Sequence, residues 1–218
     1  MMQVKNIKNI IFDFGGVIIN IDHQKVENAF ISLGVDNFDE LFNKVSQTEL
    51  FQKLEKGLIS PREFRNTIRD ISGINVTDEI LDFTWNQIIG DYPTGRIKLL
   101  KKIGNRYKLF ILSNTNKIHY DYYITQFRKE FGFEFQSLFD NTYWSFKIGK
   151  RKPDIDSFQY VISKNQLMPE ETLFVDDSFQ NILAARQLNL IAYFLKPDTD
   201  ITDMFEEGIL KDNIVTNL

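Results

Sequence analysis

Four short apolar runs punctuate the chain: Asn9-Ile-Ile-Phe-Asp13, Lys108-Leu-Phe-Ile-Leu112, Thr172-Leu-Phe-Val175 and Ile191-Ala-Tyr-Phe-Leu195. None alternates strictly between apolar and polar positions, and Gly15-Gly16 closes the first. Short unalternating runs of this kind predict parallel strands buried on both faces. A weaker run, Thr142-Tyr-Trp-Ser-Phe146, lies between the second and third. Between the runs the period changes to that of a helix. Ile155, Phe158 and Ile162 are spaced i, i+3, i+7, and Phe179, Ile182 and Leu183 are spaced i, i+3, i+4. Strand and helix in alternation, joined by right-handed crossovers, predict an α/β fold with a doubly wound parallel sheet.

The distance from the first run to the second is too long for one crossover, and residues 21–92 carry only helical patterns. Val26, Ala29, Phe30 and Leu33 form one stripe, and Leu50, Phe51 and Leu54 another. Ser60-Pro61-Arg62-Glu63 reads as a helix start, with an N-cap serine, proline at the first helical position and a glutamate that closes a capping box. Phe64, Ile68 and Ile71 follow it. Thr77 opens a last helix carrying Leu81, Thr84, Trp85 and Ile88. The expected organisation is an α/β core of residues 1–20 and 93–218, with a helical cap of residues 21–92 inserted after the first strand. From Asp198 onward the chain is weakly patterned and predicts little.

Composition narrows the function. Among 218 residues, 43% are hydrophobic and 20 are Phe, enough for a packed core. The chain contains no Cys, which excludes disulfides, thiolate metal sites and cysteine nucleophiles. The formal charge of −4 argues against nucleic acid as a partner. No stretch reaches the roughly 18 apolar residues that cross a bilayer. Lys5 and Lys8 before Ile10-Ile11-Phe12 imitate a signal peptide, but Asp13 splits the apolar run; a cytoplasmic protein is expected.

In open α/β sheets ligands bind beyond the carboxyl ends of the strands. There the sequence places Asp13 with Gly15 and Gly16, then Ser113 and Asn114, then Lys150-Arg151-Lys152-Pro153, then Asp176 and Asp177 with Asn181. Converging carboxylates repel one another unless a cation joins them. Oxygen ligands without Cys or clustered His point to Mg²⁺. With Mg²⁺ and Lys152 neutralising charge, a phosphate dianion can approach a carboxylate nucleophile and be transferred to it.

These residues in this order resemble the haloacid dehalogenase-like (HAD) hydrolase superfamily with a helical cap. Within it, Asp13-Phe-Gly-Gly-Val-Ile-Ile-Asn-Ile-Asp22, Leu112-Ser-Asn-Thr-Asn116 with His119, and Arg151-Lys-Pro153 are similar to the bacterial α-D-glucose-1-phosphate phosphatase group. The resemblance implies Asp13 as nucleophile, and Ser113 and Asn114 as ligands of the phosphoryl oxygens. It implies that Lys152 holds nucleophile and phosphate together, and that Asp13, the Gly15 carbonyl, Asp177 and Asp176 bind the metal. Asn181 would support those ligands. The substrate implied is a small phosphomonoester such as a hexose 1-phosphate.

One departure stands out. Most phosphatases of the superfamily carry a general acid two positions after the nucleophile, where this chain has Gly15. A good anomeric leaving group would lessen the need for it, and Asp22 is a candidate replacement. The alternatives are a 2-haloacid dehalogenase, which needs neither that acid nor a metal, and a non-catalytic descendant that binds a phospho-ligand. Retention of both Asp176 and Asp177 favours the phosphatase. Of the two histidines, His119 is expected on an exposed helix face and His23 at a helix end. Trp85 and Trp144 are expected in cores, the Tyr120–Tyr123 cluster in a core or on a partner surface, and the basic run 147–152, Lys152 apart, in a solvated loop.

Overall fold

The structure is a computed structural model that describes residues 7–35, 37–40, 42, 49–212 and 214. Five parallel strands form the core sheet: β1 (Asn9–Phe12), β2 (Lys108–Ser113), β3 (Asn141–Trp144), β4 (Thr172–Asp176) and β5 (Ile191–Phe194). Their order is β3-β2-β1-β4-β5, so β1 lies at the centre and the chain winds outward from it in both directions. Alternate strand residues feed two separate cores, as a sheet covered on both faces requires. Ile10, Phe12, Leu109, Ile111, Leu173 and Val175 face one side. Ile11, Phe110, Leu112 and Phe174 face the other.

Register sets the site. Phe12 pairs with Ile111 on one side and Val175 on the other. The residues immediately beyond, Asp13 and Asp176, therefore emerge level with each other, beside the end of β2.

Among the described residues, the stretch 21–92 carries the helices α1 (His23–Ser32), α2 (Leu50–Glu55), α3 (Pro61–Ser72) and α4 (Asp78–Trp85). Helix α3 has the predicted capping box, with Glu63 N donating to Ser60 Oγ at 3.2 Å and Ser60 N to Glu63 Oε2 at 2.7 Å. Thr77 caps α4. These helices bury a core of their own around Val26, Phe30, Leu54, Phe64, Ile68, Leu81 and Trp85. The chain enters and leaves the insert through a narrow neck. Asn20 N donates to Asp91 O, Gly90 N to Asn20 O and Asp22 N to Ile88 O, at 2.8–3.0 Å. A Cβ at Gly90 would stand 2.8 Å from Asn20 O, so only glycine permits this approach.

The remaining core helices are α5 (Thr94–Ile103), α6 (Lys117–Phe131), the single turn α7 (Ser145–Ile148), α8 (Ile155–Asn165) and α9 (Phe179–Gln187). Three details differ from expectation. The weak third run ends as a strand at Trp144, because Ser145 Oγ donates to Thr115 O and accepts from Thr115 N, both at 2.9 Å, and α7 starts there. Helix α9 buries Ile182, Ala184 and Ala185 while Phe179 and Leu183 stay exposed; the alanines let it lie close on the sheet. The weakly patterned end of the chain contributes Ile201, Met204, Phe205 and Leu210 to the core beneath α5. Among the described residues, no helix is long and apolar enough to cross a membrane.

Candidate active site

Lys152 is the electrostatic centre of the site. Its ammonium lies 2.7 Å from Asp13 Oδ1 and 2.6 Å from Asp176 Oδ2, and both Lys152 and Asp176 are sealed from solvent. Burial works against the lysine charge, but the two carboxylates outweigh it and push its pKa above the ordinary lysine value, so it stays protonated. Asn114 fixes the backbone that carries it: Asn114 Nδ2 donates to Lys152 O at 2.7 Å, and Lys152 N donates to Asn114 Oδ1 at 2.8 Å. Asn114 also lines the cavity floor and keeps one amide hydrogen that could meet a phosphoryl oxygen. Its side-chain oxygen and one of its amide donors are already spent on positioning Lys152.

Asp176 is equally committed. It accepts from Ser178 N at 2.7 Å and from Asn181 Nδ2 at 3.0 Å on each oxygen, in addition to Lys152. Asn181 thus supports an acid. Asp13 receives Phe14 N at 2.7 Å. Burial pushes its carboxyl up to about 7, Asp176 and Asp177 add repulsion, and Lys152 opposes both. Asp177 is exposed, and its carboxyl is also pushed up, first by burial of its surroundings and then by Asp176.

Three carboxylates against one ammonium leave two negative charges uncompensated. Carboxylate oxygens of Asp13, Asp176 and Asp177 lie within 4.8 Å of one another, a spacing that suits a small divalent cation bound by hard oxygen ligands. The loop is shaped around them. Gly16 has φ +74°, and a Cβ there would fall 2.1 Å from Asp177 Oδ2. Gly16→Ala is expected to displace Asp177, to weaken Mg²⁺ binding at least about tenfold in calorimetric titration, and to destabilise the fold by about 1 kcal/mol or more. Unchanged Mg²⁺ affinity would show that Asp177 takes no part. Gly15 differs: its φ is not positive, and a Cβ would meet only Ile21 Cγ2 at 3.5 Å. Neither backbone nor packing forces a glycine at that position.

Above the acids opens a cavity of about 550 Å³ between sheet and insert. Ser113, Asn114 and Thr115 line its floor with Asp13, while Val26, Phe38, Phe51, Trp85 and Ile88 of the insert form its walls. Trp85 serves both core and cavity, stacked on Phe51 at 5.4 Å between ring centroids. His119, expected to be exposed, is half-buried in the wall. It stacks on Trp85 at 5.0 Å, its Nδ1 lies 3.1 Å from Asn116 Nδ2, and its Nε2 lies 3.3 Å from Trp85 O. Burial pushes its pKa down to about 4, so the ring is neutral and donates from Nε2 to the carbonyl.

Other expectations are corrected. Asp22 is the N-cap of α1, accepting from Lys25 N at 3.1 Å, and does not line the cavity. The basic run 147–152 is only in part a solvated loop. Lys147 lies 3.7 Å over the Tyr120 ring, Lys150 pairs with Asp156, and Arg151 Nε meets Glu55 Oε2 of α2 at 2.9 Å. Lys56 pairs with Asp154 at 2.7 Å. Sequence reasoning missed this tie between insert and core, since only opposite charges at distant positions announced it. Tyr123 is buried against Phe14, and Tyr120 packs on Trp144 and Phe146, so these two tyrosines belong to the core packing.

A parallel sheet that delivers an aspartate, a buried lysine and an acid pair to one edge, beneath a helical insert, defines a class of metal-assisted α/β hydrolases. The chain belongs to the haloacid dehalogenase-like hydrolases, whose family model matches residues 7–189. It is similar to the D-ribitol-5-phosphate phosphatase of Bacteroides thetaiotaomicron, with 35% identity over 182 residues that cover 84% of this chain and 88% of that protein. A HAD family enzyme of the same organism, crystallised in complex with magnesium and inorganic phosphate, superposes with a TM-score of 0.85 at 35% identity, covering 92% of this chain and 100% of that one. A HAD-like family hydrolase from Porphyromonas gingivalis gives a TM-score of 0.80 at 30% identity, covering 88% and 93%.

Proposed function

We propose that this protein is a Mg²⁺-dependent phosphatase that hydrolyses a small phosphomonoester through an aspartyl-phosphate on Asp13. The observation that carries this reading is Lys152, buried between Asp13 and Asp176, in a site whose carboxylates still exceed its charge by two. Mg²⁺ would be held by Asp13, the Gly15 carbonyl, Asp177 and Asp176, and when bound it supplies the charge that lets a phosphate dianion approach a carboxylate. Lys152 draws the Asp13 carboxyl back toward its ionised form and would supply positive charge beside the incoming phosphoryl group, and Ser113 at the end of β2 would hydrogen-bond its oxygens. Asp13 attacks phosphorus and the alcohol leaves; water then attacks the acyl-phosphate and frees Asp13. The insert, residues 21–92, serves as the cap that excludes water during transfer, and Glu55–Arg151 and Lys56–Asp154 are its ties to the core.

A sugar or polyol phosphate is the substrate class, hexose 1-phosphates included. It is supported by the similarity to a D-ribitol-5-phosphate phosphatase and by a cavity that combines aromatic walls with hydrogen-bonding acids. Among the described residues, the insert's part of the lining carries Glu27, Asp39 and Glu55 but no Lys or Arg. Phosphate release from a substrate panel tests the whole reading. Neutral sugar and polyol monophosphates are expected to exceed bisphosphates and nucleoside triphosphates at least about tenfold in kcat/KM, and chelation of Mg²⁺ is expected to abolish turnover. Turnover that persists in chelator, or halide release from 2-chloropropionate without phosphate release, would overturn it.

A further inference from the structure

Transfer to Asp13 expels an alkoxide unless a proton reaches the leaving oxygen, and general acid help of this kind contributes typically 10²–10⁴-fold. Gly15 offers no side chain for it, and Asp22 is turned away as a helix cap. The donor must therefore come from another titratable group lining the cavity. His119 has both ring nitrogens engaged and is neutral. Glu55 is paired with Arg151, and the Tyr123 phenol is buried in the wall, where burial pushes its pKa well above the ordinary tyrosine value and far from neutral pH. Glu27 and Asp39 are carboxylic acids, a type that normally holds no proton to give near neutral pH, and Glu27 already accepts from Gln24 Nε2 at 2.9 Å.

His23 remains. It opens α1 with an exposed ring that has no hydrogen-bond partner among the described residues, and it lines the cavity together with Asp13, Gly15 and Asp177. Its charge reaches Asp177 and draws that carboxyl downward against the effect of burial. The neck fixes its place. Ile21, paired with Ile89, lies within van der Waals contact of where a side chain at position 15 would begin, and two residues further along the chain, about 7 Å, comes His23. Imidazole is also the side chain best able to give and take a proton near neutral pH.

We propose that His23 is the general acid and base of this hydrolase, working from the neck of the insert in place of a side chain at position 15. The inference rests on the phosphatase reading. As the bond between phosphorus and the leaving oxygen breaks and the Asp13 Oδ–P bond forms, the His23 imidazolium gives its proton to that oxygen, and a neutral alcohol leaves. In the second step the neutral imidazole takes a proton from water as the water oxygen bonds to phosphorus. The Asp13 Oδ–P bond breaks, and phosphate, the Asp13 carboxylate and the imidazolium are restored.

His23→Asn, at an exposed position beside an intact cap, tests this with two substrates. A primary alkyl phosphate such as ribitol 5-phosphate needs a proton on its leaving oxygen, whereas p-nitrophenyl phosphate releases a stable phenolate. Because kcat/KM reports the steps up to release of the first product, the substitution should lower it for the alkyl ester at least about 30-fold more than for the aryl ester. Equal losses, or none, would overturn the role of His23. If the unmodified protein hydrolyses neither ester in a manner dependent on Asp13, the phosphatase reading itself fails, a result distinct from either.

Discussion

Asp13→Asn is expected to remove turnover by about 10⁴-fold or more, the scale seen when a covalent mechanism loses a central group. Its effect on stability runs the other way. Burial pushes the Asp13 carboxyl from 3.8 up to about 7, so the folded state holds this proton more tightly than the unfolded chain does. For such a group the stabilising contribution is complete below about pH 4 and is lost as pH rises through about 7. Metal-free wild type should therefore lose stability across that interval, and the neutral amide of the variant should lose less. Urea denaturation midpoints from pH 4 to 8 in chelator compare the two. Parallel pH curves would mean that Asp13 is not strained by its surroundings. A variant that is catalytically dead yet folded at pH 8 would separate the nucleophile's chemical role from any structural one.

Lys152→Ala is expected to cost about 3–5 kcal/mol of stability, the usual penalty when one partner of a buried ion pair is removed and the other charge is left behind. Here two carboxylates are left, one of them on the fully buried Asp176. Turnover should fall with it, since the described lining of the cavity carries no Lys or Arg that could replace the charge held behind Asp13. Millimolar Mg²⁺ should raise the urea midpoint of the variant more than that of the wild type, because the cation takes over part of the missing charge. A midpoint unchanged by the substitution would show that the site tolerates its carboxylates by protonating them. The contrast with Asp13 is instructive: one removal relieves excess negative charge, and the other creates it.

The same reasoning explains the division of labour among the amides. Asn114 and Asn181 look alike in sequence, each a few residues past a strand, and both were expected near the phosphate or the metal. The structure uses both to hold charged groups still, Asn114 through the backbone of Lys152 and Asn181 through the carboxylate of Asp176. An amide at hydrogen-bonding distance from a buried charge stabilises it without adding charge of its own, which suits a site already carrying three acids and a lysine.

The amino-acid order by itself determined the strands, the helix starts at Ser60 and Thr77, the helical character of the stretch between the first two strands and the set of groups at the sheet edge. All of these are local signals. Apolar runs, capping residues and glycines act over a few neighbours, and parallel pairing then brings every strand end to one edge whatever lies between. Only the tertiary structure decided what those groups meet. Arg151 finds Glu55 across 96 residues, Lys152 finds Asn114 across 38, and His119 reaches the Trp85 carbonyl across 34. No periodicity encodes such partners, because each is set by how the insert settles on the core and by which buried charge needs compensation. For the same reason one of the two histidines departs from its expected exposure. His119 looks solvent-facing in the sequence and is a neutral strut in the cavity wall, while His23 is the exposed helix end that the sequence predicts.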